Sequence, residues 1–148
     1  MKTLQYKSCD ESDIETIYHL AKQLVLRYED PTIVDIKHAL DWTKRKITSN
    51  IHSYQRIYKE DEIVGYYYLE EQVDLTTELS NLYILEPYRH QGIGTEVMKK
   101  IIETVDEPLS LCVFVKNTKA ISLYDKMGFQ VAKMVSKTRM MMSYRKDK

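Results

Sequence analysis

The 148-residue sequence is poor in the residues that punctuate or staple a chain, with 4 glycines, 3 prolines and 2 cysteines. Cys9 and Cys112 are far apart and too few for a disulfide framework. Cys112 lies in the apolar run Leu111-Cys112-Val113-Phe114-Val115, where a buried free thiol is expected. Net charge is lacking too. Lys and Arg total 22 against 22 Asp and Glu, which leaves no overall field to hold nucleic acid. No segment approaches the roughly 18 apolar residues of a membrane span, and residues 1–10 lack the apolar stretch of a signal peptide. The histidines, His19, His38, His52 and His90, show no metal-ligand spacing. The expectation is a reduced, cytoplasmic, soluble chain without metal, membrane or nucleic-acid partner.

What is present is globular: 43% hydrophobic and 30% charged residues. There is no repeat, low-complexity tract or Gly/Ser-rich linker, so residues 1–148 read as one domain. Residues 4–7 suit a short strand. Ser12 and Glu15 read as a capping box ahead of a helix carrying Ile14, Ile17, Ala21, Leu24, Val25 and Tyr28 at helical spacing. Glu29-Asp30-Pro31 ends it. A second helix over residues 35–47 puts Ile36, Ala39, Leu40, Thr43 and Ile47 on one stripe. Strands follow at 54–59, 63–70 and 79–85, then a helix at 94–105, a strand at 109–115 and a helix at 118–126. Gly128 suits the left-handed residue after that helix, and 130–144 holds a closing hairpin. The order specifies a mixed α/β sheet with helices on both faces.

The segment Pro87-Tyr88-Arg89-His90-Gln91-Gly92-Ile93-Gly94-Thr95 stands between a strand and a helix, and Gly92 and Gly94 are half of the chain's 4 glycines. Residues without a Cβ let the main chain approach a ligand. N–H groups and the dipole at a helix start favour an anion, with a pyrophosphate the natural guest. A glycine that only shapes a tight turn is the other reading. A P-loop would need Gly-Lys-Ser/Thr, and a dinucleotide fingerprint a third glycine; both are absent.

Arg89-His90-Gln91-Gly92-Ile93-Gly94 resembles the Gln/Arg-x-x-Gly-x-Gly/Ala signature of the GNAT superfamily of N-acetyltransferases. Glu78-Leu79-Ser80-Asn81-Leu82-Tyr83-Ile84 resembles that family's central strand, and Val113 to Asn117, then Ala120, Tyr124 and Met127-Gly128-Phe129, its next strand and helix. The resemblance implies a mostly antiparallel central sheet with one splayed parallel pair. It implies acetyl-coenzyme A as acyl donor, with Arg89, His90, Gln91, Gly92, Ile93, Gly94 and Thr95 at the pyrophosphate. Leu82, Tyr83 and Ile84 would pair with the pantetheine arm like an added strand, and Asn117 would also contact it.

Transfer from a thioester to an amine needs a neutral amine, a stabilised oxyanion and a proton for the leaving thiolate. Tyr124 is the candidate donor, a core tyrosine being the alternative, and Glu78 the candidate base, an exposed carboxylate being the alternative. No histidine is spaced to activate Cys112 as an acyl carrier, so direct attack in a ternary complex is expected. Tyr28, Glu29, Asp30, Tyr66, Tyr68, Glu70 and Glu71 supply acidic and aromatic groups suited to a cationic amine. Met140-Met141-Met142 reads as core filler or as a homodimer contact. A binding module that senses acyl-coenzyme A without turnover is the competing function.

Overall fold

The structure, a computed structural model, describes residues 3–106 and 108–144. Its contacts fall into two compact units, one ending at Tyr67 and the other starting at Tyr68.

The first unit opens with β1 (Gln5–Ser8) and a 3-10 turn over Glu11–Asp13, followed by α1 (Ile14–Tyr28) and α2 (Ile36–Ser49). The expected Ser12–Glu15 capping box is replaced by one built from Asp10 and Asp13. The Ser12 amide donates to Asp10 Oδ1 at 2.9 Å, and the Asp10 amide donates to Asp13 Oδ2 at 3.0 Å. Ionised carboxylates are stronger acceptors than a serine hydroxyl, so the aspartates take the cap. α1 buries Ile17, Leu20, Ala21 and Val25. α2 is capped by Asp35, whose Oδ1 accepts from the His38 amide at 3.2 Å, and buries Ile47.

β2 (Gln55–Lys59) pairs antiparallel with β1 and with β3 (Glu62–Glu71), which runs across the boundary between the units. The β2–β3 turn holds Glu60 and Asp61 at left-handed φ values of 53° and 71°. Behind these strands lies a closed polar cluster. Arg56 Nε and Nη2 donate to Asp13 Oδ2 at 2.8 and 2.7 Å, and the Tyr66 hydroxyl donates to Asp13 Oδ1 at 3.5 Å. Burial, then the Asp13 charge, pushes both the neighbouring Cys9 thiol and the Tyr66 phenol up to about 12.

The second unit contains β4 (Thr77–Ile84), α3 (Ile93–Thr104), β5 (Leu109–Phe114), α4 (Thr118–Lys126), β6 (Gln130–Met134) and β7 (Arg139–Tyr144). The strand order is β1-β2-β3-β4-β5-β7-β6 in a seven-stranded sheet. β4 and β5 are parallel, joined through α3, because a parallel neighbour requires a long crossover. β5 pairs antiparallel with β7, and β7 with β6. Leu79, Val97, Met98, Ile101, Leu109, Leu111, Val113, Phe129, Met140 and Met142 make this unit's core, so two of the consecutive methionines are core filler.

Cys112 is exposed, not buried as the apolar run suggested. Side chains alternate across a strand. Leu109, Leu111 and Val113 take the core face, which turns Cys112 outward with Ser110. Gly128 closes α4 at φ 102°, and a Cβ there would stand 2.8 Å from the Tyr144 ring. Only glycine meets both the left-handed φ and the close approach without strain.

Candidate functional site

Pairing of β4 with β5 covers three positions, Thr77↔Leu109, Glu78↔Ser110 and Leu79↔Leu111. β4 nevertheless continues to Ile84, and β5 keeps its β7 partners as far as Phe114↔Arg139. The two parallel strands therefore part after Leu79. This leaves the far half of β4 without a β5 ladder partner, a strand edge in the middle of the sheet.

At the end of that edge a 3-10 turn over Glu86–Tyr88 leads into the glycine loop. His90 and Gly92 both take left-handed φ, 64° and 80°. Gly92 is the N-cap of α3 and brings no side-chain cap, so the first amides of the helix, those of Ile93, Gly94 and Thr95, face outward. Arg89 Nε donates to the Ile84 carbonyl at 2.8 Å, and Gln91 Nε2 donates to the Pro87 carbonyl at 3.3 Å. The first ties the loop back to the strand, and the second ties it to the 3-10 turn. Gly94 has helical backbone, and a Cβ added to it would lie 3.9 Å from both Ile84 and Leu123, in ordinary contact. Packing within the fold does not demand glycine at 94. Exposed Glu96, in the first turn, is the one acidic residue of that turn. Outward amides and the positive end of the helix dipole fit the pyrophosphate of a coenzyme A.

Asn117 is the N-cap of α4, with Oδ1 accepting from the Ala120 amide at 3.3 Å. The half of this side chain that accepts is thus engaged in holding the helix, and the amide nitrogen is the half that points elsewhere. Tyr124, two turns on, is half-buried with its ring 6.0 Å from that of Phe129. Desolvation pushes its phenol up to about 12. Tyr83 is buried on β4, where its hydroxyl accepts from Asn81 Nδ2 at 2.8 Å. Burial raises the Tyr83 phenol, and the neighbouring Tyr124 adds to the rise.

Glu78 stands where the two strands are still paired, on the side of the sheet opposite the buried Leu79. The Ser80 hydroxyl lies 3.1 Å from Glu78 Oε2 and 3.1 Å from Glu70 Oε1, between the two carboxylates. Cys112 Sγ, across the strand pair, approaches Glu78 Oε1 at 3.9 Å. Tyr68 is buried, its phenol raised by desolvation first and by the Glu70 charge second.

The residues named from the sequence thus form three groups. Arg89 to Thr95 gather at the end of β4 beside Ile84; Tyr124 stands by Tyr83; Glu78 stands with Glu70. Some of the expected acceptor residues also make local contacts. The Tyr66 hydroxyl serves Asp13, Asp30 Oδ1 accepts from the Thr32 amide at 2.9 Å, and Glu29 is buried. Ser80 was missed. Its signal was the period of two along the strand, which puts residues 78 and 80 on one face.

The model of the Acetyltransferase (GNAT) family matches residues 14–129, and the chain belongs to that family. Mouse thialysine N-epsilon-acetyltransferase is 38% identical over 56 residues, a stretch that is 35% of this chain and 33% of the mouse enzyme. The match thus spans about a third of that relative's length. The PaiA N-acetyltransferase of Thermoplasma acidophilum, solved with coenzyme A, superposes with a TM-score of 0.74 at 17% identity, covering 98% of this chain and 100% of that one. Arabidopsis Naa50, solved with a coenzyme A bisubstrate analogue, superposes with a TM-score of 0.64 at 18% identity, covering 98% and 100%. At these identities the likeness is one of fold: the mixed sheet with one parallel pair is the GNAT fold. The family is one of acetyltransferases, and the match to the mouse enzyme covers only part of it.

Proposed function

We propose that the protein is an acetyl-coenzyme A-dependent N-acetyltransferase that moves an acetyl group to a primary amine by direct attack within a ternary complex. The observation that carries the reading is the parting of β4 from β5 at Leu79, with an uncapped helix start at the end of the open edge. An extended pantetheine arm can add to the open edge through main-chain hydrogen bonds from Leu82, Tyr83 and Ile84. Its pyrophosphate then meets the amides of Gln91 to Thr95, with Arg89 and His90 flanking and Asn117 reached from the other side. The bound cofactor supplies a thioester, whose acyl carbon is the electrophile.

The division of labour follows from the site's chemistry. Glu78 takes the proton from the ammonium, because an amine with a pKa near ~10.4 arrives charged at neutral pH. Tyr124 faces the leaving sulfur. With its phenol at about 12, against ~8.5 for a model thiol, complete proton transfer to the thiolate is uphill by roughly 5 kcal/mol. Tyr124 therefore acts chiefly as a neutral hydrogen-bond donor that stabilises the thiolate as it forms. Solved relatives with coenzyme A bound support the cofactor, and the mouse relative supports an amine acceptor.

The experiment is a thermal melt with saturating acetyl-coenzyme A, coupled to thiol release with putrescine, thialysine and peptides bearing a free amino terminus. Ligand at ~100 times its dissociation constant adds about 2.7 kcal/mol, several degrees for a domain of this size. A shift accompanied by amine-dependent thiol release supports the enzyme. A shift with no thiol release from any amine supports the acyl-coenzyme A sensor instead. No shift at all removes the cofactor site.

A further inference from the structure

Ser80 places one hydroxyl hydrogen between two carboxylate oxygens. Its Oγ is 3.1 Å from Glu70 Oε1 and 3.1 Å from Glu78 Oε2, both hydrogen-bond distances. A serine hydroxyl donates once, and an ionised carboxylate only accepts. With both carboxylates ionised, one of these two contacts holds a hydrogen and the other sets lone pair against lone pair. One further proton, on either carboxyl group, satisfies both contacts at once. The Ser80 hydroxyl thus joins Glu70 and Glu78 in one continuous hydrogen-bonded row.

Such a row has a use in the reaction. Acetylating an ammonium removes two protons from its nitrogen. One is lost before attack and the other as the tetrahedral intermediate collapses; the leaving thiolate ends with one of them, and the base has to hand the other on. We propose that Ser80 and Glu70 form a proton relay behind Glu78. The inference rests on the reading of Glu78 as the base.

In the relay, Glu78 takes the first proton from the ammonium, leaving a neutral amine and a carboxyl group. The Glu78 O–H bond then breaks as its proton passes to Ser80 Oγ. The original Ser80 O–H bond breaks in the same step, and its hydrogen bonds to Glu70 Oε1. Ser80 ends as a hydroxyl, Glu70 as a carboxylic acid and Glu78 as a carboxylate, ready for the second proton. No atom or charge is gained or lost. Ser80 touches no substrate atom and is a positioning residue that also conducts; Glu70 is the terminal store. Cys112, 3.9 Å from the other oxygen of Glu78, limits how that carboxylate can turn away from the relay. The geometry has a sequence logic as well: residues 78 and 80 share a strand face, and Glu70 comes from the neighbouring strand β3.

The test is steady-state thiol release from acetyl-coenzyme A, with putrescine, thialysine and a free-amino-terminus peptide as amines. The variants are Glu78→Gln, Ser80→Ala, Ser80→Thr, Glu70→Gln and the Ser80→Ala/Glu70→Gln pair. Ser80→Ala and Glu70→Gln are each expected to lower kcat about tenfold or more with KM for the amine unchanged. The pair should be no slower than the slower single variant, because the two act in series. Ser80→Thr, which keeps the hydroxyl, should recover most of the rate. In a Glu78→Gln background neither change should have a further effect.

A rise in KM for the amine with kcat intact, in Glu70→Gln, would make Glu70 a binding group and overturn the relay. Additive losses in the paired variant, or no rescue by threonine, would overturn it as well. If Glu78→Gln slows the reaction but Ser80→Ala and Glu70→Gln do not, the relay alone fails. If Glu78→Gln leaves the rate unchanged, the base reading has failed first. Thiol release with none of the amines removes the enzyme reading and the relay with it.

Discussion

Two clusters of side chains around carboxylates, one among the described residues of each unit, are built to opposite ends. In the first unit Asp13 is buried and receives Arg56 twice and Tyr66 once, so its charge is matched and its oxygens are occupied. In the second unit Glu78 and Glu70 share one serine hydroxyl and are only partly covered. The first arrangement gathers two carboxylates on one guanidinium, Arg56 Nη2 lying 3.3 Å from Asp10 Oδ2 as well, and its work is to hold Glu11–Asp13 against β2 and β3. The second is partly open to solvent, and its two carboxylates are bridged by a neutral hydroxyl. The first is suited to holding the fold; the second is the one proposed above to pass a proton.

The comparison can be broken most forcefully in the closed cluster. Arg56→Met leaves the Asp13 carboxylate buried without its partner and should cost about 3–5 kcal/mol in urea unfolding. Adding Asp13→Asn should return part of that loss. An Arg56→Met chain of unchanged stability would mean that the cluster is no structural anchor. In the second unit Tyr124→Phe should lower kcat about a hundredfold, roughly 2.7 kcal/mol of barrier, and leave acetyl-coenzyme A affinity in calorimetry nearly unchanged. Equal turnover in that variant takes Tyr124 out of the mechanism.

Gly128→Ala combines a strained φ of 102° with a contact 2.8 Å from Tyr144, and about 1–3 kcal/mol of lost stability is expected from thermal melts. High pH provides a comparison of groups that burial holds neutral. The Cys9 thiol rises from 9.0 to about 12, and the Tyr66 and Tyr124 phenols from 10.0 to about 12. Unfolded, these groups release their protons at lower pH than they do in the native state. Stability should therefore be full below pH 9 and fall as pH rises toward 12, which urea unfolding at stepped pH checks. A flat profile over that range would show these groups to titrate alike in the native and unfolded states.

The smallest effect is the most diagnostic for the cofactor. Gly94→Ala sets a methyl in ordinary contact with Ile84 and Leu123 and should raise stability by about 0.5–1 kcal/mol, while weakening acetyl-coenzyme A binding because a side chain beside the helix's first amides crowds a closely approaching anion. A stabilised variant that binds the cofactor as tightly as the parent would exclude the helix start as the site.

The contrast between Gly94 and Gly128 also shows how far the sequence could be read. Gly128 was legible from its place after a helical run, and its left-handed φ follows from that local position. Gly94 was legible as part of a spacing pattern, but that a Cβ there would lie 3.9 Å from Ile84 and Leu123 depends on where those two residues come to lie. Cys112 was misplaced because five apolar residues in a row carry no alternation from which a face can be read. The Asp10–Asp13 box displaced the Ser12–Glu15 one because two equally spaced local patterns competed, and the choice turned on acceptor strength.

By itself the sequence determined the elements, their order and the glycine loop, since these rest on hydrophobic period, caps and backbone preference within a few residues of one another. The tertiary structure decided which side chains meet. Arg56 lies 43 residues from Asp13 and Ser80 lies 10 from Glu70, and both contacts depend on strand register and face. The parting of β4 from β5 after Leu79 was decided there as well, because a ladder ends where two distant strands diverge. Local propensity acts through neighbours along the chain, whereas a site is made of neighbours in space.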